Sequence, residues 1–500
     1  MKQLIHNGVL IPKKPEWQKS HVTVQGNRVN LTPEQEEMAI AWAKKLGTEY
    51  VKDPVFVKNF FQDFLKALGI KVKISSENFD FSLVIKHVEK EKTYKLNLSK
   101  EQKKKLAAER KAIREKNKEK YGFAKVDGVK VEIGNYTAEP SSIFMGRGKH
   151  PLRGRWKHGA GKSDIVLNLS PDAPKPQGNW KEIVWQPDNM WIAKWDDKLR
   201  GKEKYVWLAD SSPLKQRKDV EKFNKAIELS KRIEDVRKHI MANLDAEDVT
   251  RCKTATVCYL IDVLKLRVGD EKDADEADTV GATTLRPEHV KFGKNCVVTF
   301  DFLGKDAVRW QKRIRLPEQV IGNIEEFMES AESSIFEGVR SKNVSLFLDE
   351  VVTGVSSKVF RTYHASKVVA DFLYSSDVSK PDPEYEKKHV ATMANLEAAI
   401  VCNHKRKPRK NWKESLEKKM ERLKKLKAKG TPSARKRAKI LQCRIKAFRD
   451  SRDYNLGTSL KSYVDPRIYY GWGRKVDFDW KLYYPKALQK KFSWVERKTD

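Results

Sequence analysis

Cysteine is scarce in this sequence. Five occur in 500 residues (Cys252, Cys258, Cys296, Cys402 and Cys443), and no two form a C-x-x-C pair. An odd, scattered set argues against a disulfide framework and a structural zinc site, and fits reduced, buried thiols in an intracellular protein. No run of about 18 apolar residues occurs, which leaves no candidate for a membrane-spanning helix. Met1 to Trp17 carries Lys13, Lys14 and two prolines but no apolar core, so no secretory signal is visible. No internal repeat is evident, which sets solenoids aside. Acidic residues are short as well: 68 Asp and Glu stand against 102 Lys and Arg, a net charge of +34. Folding gives no reason for that excess, because self-repulsion destabilises a compact chain. The partner it implies is a polyanion.

Aromatic residues are plentiful. Thirteen Trp, fifteen Tyr and twenty Phe argue against wholesale disorder, and the length allows more than one core. The first lobe, to about residue 98, reads as short strands and helices. Thr32-Pro33-Glu34-Gln35 is a capping box that opens a helix through Met38, Ile40, Ala41 and Trp42, with Gly47 as its stop. Asp53 N-caps a second, Phe-rich helix to Gly69, with Pro54 in its first turn. Ser99 to Gln102 is another capping box, before a charged, solvated helix to Tyr121. Residues 123–208 read as strands and turns. From Pro213 the apolar spacing turns helical, and Thr254 to Val268 reads as a buried helix stopped by Gly269. Val298, Phe300 and Phe302 alternate on a strand, and Gly304-Lys305-Asp306 is a hairpin turn. Helices follow at about Ser357–Tyr374 and Tyr385–Asn403.

Residues 406–450 stand apart. They hold nineteen Lys or Arg and four Asp or Glu, a net +15. Leu416, Met420 and Leu423 step by four and three, Gly430-Thr431-Pro432 breaks the pattern, and Ala434, Ala438, Leu441, Ile445 and Phe448 resume it. This is an antiparallel helical hairpin with an apolar seam and basic flanks. Gly159-Ala160-Gly161-Lys162-Ser163 imitates the end of a P-loop. Position 156 is Trp where that loop needs Gly, and no apolar strand precedes it, so nucleotide triphosphate binding is rejected.

Tyr463, in Leu456-Gly457-Thr458-Ser459-Leu460-Lys461-Ser462-Tyr463-Val464-Asp465-Pro466-Arg467, would by itself pass for a half-buried structural tyrosine. Its company changes the reading. Leu264–Lys272, Phe300–Asp306, Lys358–Ser366 and Val401–His404 follow in order, with Ala277–Gly281 and Gly146-Arg147-Gly148-Lys149-His150-Pro151. Together these segments resemble eukaryotic-type DNA topoisomerase I, the type IB enzymes, over nearly the whole chain. The resemblance implies that Tyr463 is the nucleophile and that Arg267, Lys305, Arg361 and His404 complete the catalytic set. It also implies DNA contacts at Arg147, His150, Lys358, Thr458 and Asp306. The chemistry is coherent. Two always-charged planar guanidiniums can clamp the non-bridging oxygens of a pentavalent phosphorus, His404 can add a donor, and Lys305 can protonate the leaving 5′-oxygen. A 3′-phosphotyrosyl bond stores the energy of the broken one, so neither ATP, metal nor another cofactor is expected.

The implied architecture is multidomain α+β: a DNA-embracing clamp with a cap lobe, a mainly helical catalytic lobe like that of tyrosine recombinases, a helical-hairpin linker and a small C-terminal helical domain. Mapped on this chain, residues 1–15 and 99–205 form core subdomain I and 16–98 the cap. Residues 206–405 form the catalytic subdomain, 406–450 the linker and 451–500 the domain with Tyr463. The expected partner is double-stranded DNA, bound by a monomer, without a membrane. Met145 and Ser462 depart from the family pattern, which commonly has Arg and Asn there. The Asn helps bind camptothecin-type poisons, so weak or no camptothecin trapping is expected. The long charged tail of nuclear members is absent, and the expectation is an archaeal, nucleoid-working protein in the cytoplasm, or a nuclear one if eukaryotic. A site-specific tyrosine recombinase and a non-catalytic basic DNA-binding protein are the rival readings.

Overall fold

The computed structural model describes residues 1–269 and 280–497, apart from the Asp306 side chain. The chain is mixed α+β and divides into two compact units, Met1–Lys215 and Gln216–Asp500.

Unit 1 contains short strands: β1 (Leu4–His6), β2 (His21–Val24), β3 (Asn27–Asn30), β4 (Phe79–Asp80), β5 (Phe123–Val126), β6 (Val129–Glu132), β7 (Ser142–Ile143), β8 (Trp156–Lys157), β9 (Val166–Asn168), β10 (Glu182–Val184), β11 (Trp191–Asp196) and β12 (Glu203–Trp207). They pair as β1-β5-β6, β3-β2-β4, β7-β8 and β10-β9-β11-β12. Its helices are α1 (Pro33–Ala43), α2 (Pro54–Ala67), α3 (Ser82–Asn97) and α4 (Lys100–Tyr121). The capping boxes at Thr32 and Ser99 form, and the Asp53 side chain accepts from the N–H groups of Val55 and Phe56. Gly47 is not the stop expected of it. The first helix ends at Ala43, and Gly47 lies beyond it at φ +74°, because the turn after Lys44 closes through Lys45, Leu46 and Thr48 N–H groups first. Two apolar cores result. One gathers Phe56, Phe60 and Phe64 with Val22, Met38 and Trp42; the other gathers Leu4, Ile165, Leu167, Ile192 and Leu208. The imitation P-loop is a single turn in which the Gly161 N–H donates to the Asp164 carboxylate, so a carboxylate holds the amide a phosphate would need.

Unit 2 is mainly helical: α5 (Pro213–Lys231, which begins at the boundary), α6 (Ile233–Met241), α7 (Val249–Leu264), α8 (Glu318–Glu329), α9 (Ser341–Asp349), α10 (Ser357–Tyr374), α11 (Glu384–Val401), α12 (Trp412–Ala428), α13 (Pro432–Asp450), α14 (Leu456–Ser462), α15 (Pro466–Val476) and α16 (Lys486–Lys491). One antiparallel sheet accompanies them, β13 (Val290–Phe292), β14 (Val297–Gly304) and β15 (Val308–Arg315). The expected helix Thr254–Val268 is shifted. It starts at Val249, where Asp248 caps the Thr250 N–H, and stops at Leu264 because Lys265 turns left-handed at φ +61°. Gly269 does a different job. It lies against Gly281, where a Cβ would sit 2.4 Å from the Gly269 Cα, and this near-contact lets segments 267–268 and 282–283 bond backbone to backbone.

The basic hairpin forms as α12 and α13, but its seam is uneven. Ala434, Ala438, Leu441 and Ile445 of α13 are buried, whereas Met420 of α12 stays 44% exposed. The reason is that α13 also packs on α11, which covers its apolar stripe from a second side. Segment 456–495 has no core of its own: Leu460, Val464, Tyr469, Trp472 and Phe492 are buried together with Ala365, Val369, Ala394 and Ala398 of α10 and α11. That shared core is what carries Tyr463 to the end of α10.

Candidate active site

Several chain segments, all in unit 2, converge on one cleft of about 690 Å³. Tyr463, Arg267, Lys305, Arg361 and Lys358 line it, and among the described residues its wall carries eight Lys or Arg side chains against a single carboxylate, Glu221. A smaller recess of about 150 Å³ adjoins it, sharing Arg267, Lys305 and Arg361 and adding His404 and Thr458.

Arg361 is the hub. It sits in the second turn of α10 and is only 5% exposed. One terminal nitrogen donates to the Lys265 carbonyl and the other to the Cys402 carbonyl, each at 2.8 Å. Those carbonyls lie two residues before Arg267 and His404 respectively, so one guanidinium sets the spacing of two further site residues. Its Cζ stands 5.1 Å from the centre of the Tyr463 ring.

His404 is presented by a helix terminus. Asn403 takes the left-handed conformation at φ +51°, the His404 N–H bonds back to the Ala399 carbonyl and the Asn403 N–H to that of Ile400. This is a Schellman stop, for which Asn is suited. The His404 backbone therefore caps α11 while its ring turns into the site, 5.2 Å from the Tyr463 ring. Burial and then the charges of Arg361 and Arg267 push its pKa down to about 3, so the ring is neutral at neutral pH. Its contact with the Arg361 guanidinium is long, 3.5 Å. The His404 Nδ1 and the Arg361 Nε are both buried and find no hydrogen-bond partner among the described residues. Buried polar atoms in a folded protein are normally bonded, and exceptions gather at functional sites.

Tyr463 follows the last turn of α14, its N–H bonded to the Ser459 carbonyl at 2.9 Å. Ser459 in turn donates to Asn395 of α11. The Ser366 hydroxyl donates to the Tyr463 carbonyl and accepts the Asp465 N–H, and Lys222 donates to the Ser462 carbonyl. Lys305 is exposed in the connection Lys305–Ala307 between β14 and β15, beside Arg267 in the cleft lining. The Val280 N–H bonds the Leu303 carbonyl just before that turn, and the Ala282 N–H bonds the Arg267 carbonyl, which ties both cations to one strand of backbone.

Of the expected DNA contacts, Lys358 is exposed at the cleft and Thr458 lines the recess. Arg147 and His150 belong to unit 1. Arg147 is exposed, while His150 is buried against Phe144 and its Nδ1 accepts the Leu152 N–H. The side chain of Asp306, and the segment from Asp270 to Thr279, lie outside the described residues. Sequence reading passed over Ser366, Lys222, Lys265, Asp262 and His364. Ser366 and Lys265 stand inside segments already singled out; Lys222 looks like any surface lysine of an amphipathic helix.

Three family models cover nearly the whole chain. Eukaryotic DNA topoisomerase I, DNA binding fragment, matches residues 1–208; the catalytic core of the same enzyme matches 211–436; the C-terminal topoisomerase domain matches 435–500. DNA topoisomerase 1 beta of Arabidopsis thaliana is 35% identical over 99% of this chain and 58% of its own length. DNA topoisomerase 1 of Homo sapiens is 31% identical over 99% of this chain and 70% of its own, and that of Candida albicans 36% identical over 84% and 55%. The chain thus spans about 58% of the length of the Arabidopsis relatives. With family models over nearly all of its length and relatives more than 30% identical, the chain belongs to the eukaryotic-type DNA topoisomerase I family.

Proposed function

We propose that this protein relaxes supercoiled double-stranded DNA as a monomeric type IB topoisomerase, by transient cleavage of one strand. The observation that supports this best is the approach of a buried arginine and a neutral buried histidine to the Tyr463 ring, at the wall of a cleft lined, among the described residues, by eight cations and one carboxylate. In the proposed reaction the Tyr463 hydroxyl oxygen attacks a backbone phosphorus, its proton passing to water, and the P–O5′ bond breaks. The products are a 3′-phosphotyrosyl bond and a 5′-hydroxyl. Arg267 and Arg361 hold the non-bridging oxygens as charge builds on them; Arg361 has N–H groups to spare beyond the two spent on carbonyls. His404, neutral, donates one hydrogen bond. Lys305, exposed at its turn, delivers the proton to the departing oxygen. Ligation reverses each step. One phosphodiester is exchanged for another, so torsion in the DNA drives net relaxation and no ATP is consumed.

Lys358 and Thr458 flank the reacting phosphate in this reading, and Arg147, His150 and Asp306 contact the duplex elsewhere. The hairpin α12–α13, with its net +15 over residues 406–450, brushes the rotating DNA and slows it. The test is relaxation of a negatively supercoiled plasmid in EDTA without ATP, wild type against Tyr463→Phe. A ladder of topoisomers from wild type alone supports the reading. Gel shift by both without relaxation makes the protein a DNA binder only. Activity confined to particular sequences makes it a recombinase.

A further inference from the structure

A second cluster of charged groups lies behind the cleft and meets its lining through Arg361. Asp262, in the last turn of α7, is 4% exposed. One of its carboxylate oxygens meets the Nε2 of His364 at 2.7 Å and the other accepts from Arg237 Nε at 2.8 Å. His364, 8% exposed, sits one helical turn after Arg361 on α10. Lys265 follows Asp262 at the end of α7. It ends α7 in a left-handed conformation that a side chain with a Cβ rarely adopts, at φ +61° and ψ +34°. Its ammonium folds back onto the carbonyls of Asp262 and Val263, at 2.7 and 3.1 Å, which are left without helical partners. That fold-back keeps the Lys265 carbonyl aimed at Arg361, which bonds it at 2.8 Å.

We infer that Asp262, His364 and Lys265 form a positioning device for the arginine clamp. The Asp262–His364 bond fixes α10 against the end of α7, one turn from the Arg361–Lys265 bond. Lys265 then holds the chain reversal from which Arg267 enters the cleft two residues later. None of the three touches the reacting atoms; each acts through Arg361 and Arg267. The energetic case is local. A non-glycine residue held left-handed is strained, so the surrounding bonds must over-determine it, and such strain is tolerated where geometry matters. Burial lowers the pKa of His364 despite its carboxylate neighbour, and the carboxyl of Asp262, pushed up by burial, is held down at about 2 by His364 and Arg237. The pair is therefore a neutral imidazole N–H donating to a carboxylate. A glutamine, whose Nε2 occupies the same place along the side chain, can replace that donor; alanine cannot.

This inference rests on the proposed strand-cleavage reading, and the experiment separates the two. Single-turnover cleavage of a duplex that traps the Tyr463 adduct is measured for wild type, His364→Ala, His364→Gln and Lys265→Gly, beside duplex affinity and thermal melting. The expected result is a cleavage rate about 10- to 100-fold lower in His364→Ala, the loss typical of a reacting group displaced by about an ångström. Duplex affinity stays unchanged, and His364→Gln recovers most of the rate. Lys265→Gly is the sharper case. Glycine suits the left-handed position, so melting holds or rises while cleavage still falls about 10-fold. Unchanged cleavage in both His364→Ala and Lys265→Gly overturns the inference, as does a loss that follows melting and is not rescued by glutamine. If wild type forms no adduct, the cleavage reading fails. The device is then read in the free protein by the 15N guanidinium resonances of Arg361, expected sharp in wild type and exchange-broadened in His364→Ala; identical spectra overturn it independently.

Discussion

Replacing Arg361 by lysine keeps a positive charge at the centre of the site and removes the planar fork. The structure sets the size of the effect. Two different nitrogens of Arg361 bond the Lys265 and Cys402 carbonyls at 2.8 Å each. A single ammonium cannot serve both in that geometry and also face a phosphate. At least one charge-assisted hydrogen bond is lost, about 1.5–3 kcal/mol, in a place where the abandoned carbonyl is shielded from water. In the transition state a preorganised donor disappears as well, worth about 10²–10³ in rate, or roughly 3–4 kcal/mol. Arg361→Lys is therefore expected to slow single-turnover cleavage at least about 10²-fold while duplex affinity changes little, since many other cations line the cleft. His404 keeps its low pKa in this variant because its burial and then the neighbouring charge remain. The assay is rapid-quench cleavage of a trapped-adduct duplex with affinity measured in parallel at two salt concentrations. A rate within about threefold of wild type refutes the argument, because charge alone would then suffice and the fork would be irrelevant.

Three further outcomes follow from the same geometry. His404 has an unfolded pKa near 6.5 and a folded one of about 3, so the folded state binds fewer protons between those values. Its contribution to stability is complete above about pH 6.5 and is lost as pH falls towards 3; going from pH 7 to 5, wild type should lose about 2 kcal/mol more than His404→Gln in paired denaturation curves, and equal losses would sink the assignment. Gly281→Ala places a Cβ 2.4 Å from the Gly269 Cα and 2.8 Å from the Arg267 carbonyl oxygen. Since backbone cannot yield cheaply, it should cost about 1–3 kcal/mol in melting experiments and displace Arg267, with cleavage falling more than duplex affinity; wild-type cleavage would show that the two segments can part without harm. Ser366→Ala orphans the Tyr463 carbonyl and the Asp465 N–H, so a loss of about 1–3 kcal/mol and slower adduct formation are expected, with Ser366→Thr as a partial rescue in the same assays.

The sequence by itself determined a good deal. Its charge excess points to a polyanionic partner whatever the fold, because charge counting needs no geometry. Caps at Thr32, Asp53 and Ser99 were legible because they depend on neighbours within four residues. The hairpin at Lys305 and the helix pair after residue 406 were legible because periods of two and of three to four are written along the chain. The segments bearing Tyr463, Arg267, Arg361 and His404 could be picked out by resemblance, but nothing local says that they meet. Tertiary structure alone decided that Arg361 spends its fork on the carbonyls of Lys265 and Cys402, 96 and 41 residues away. It decided that α7 stops at Leu264, since the stop is made by a lysine held in a glycine's conformation through contacts with α10. It decided that Ser366 steadies Tyr463 from 97 residues away, and that segment 456–495 shares its core with α10 and α11. The physical reason is the same in each case. Caps and periodicities are short-range and leave their mark in adjacent residues, whereas the aim of a buried side chain is set by whichever distant backbone the packed core brings beside it.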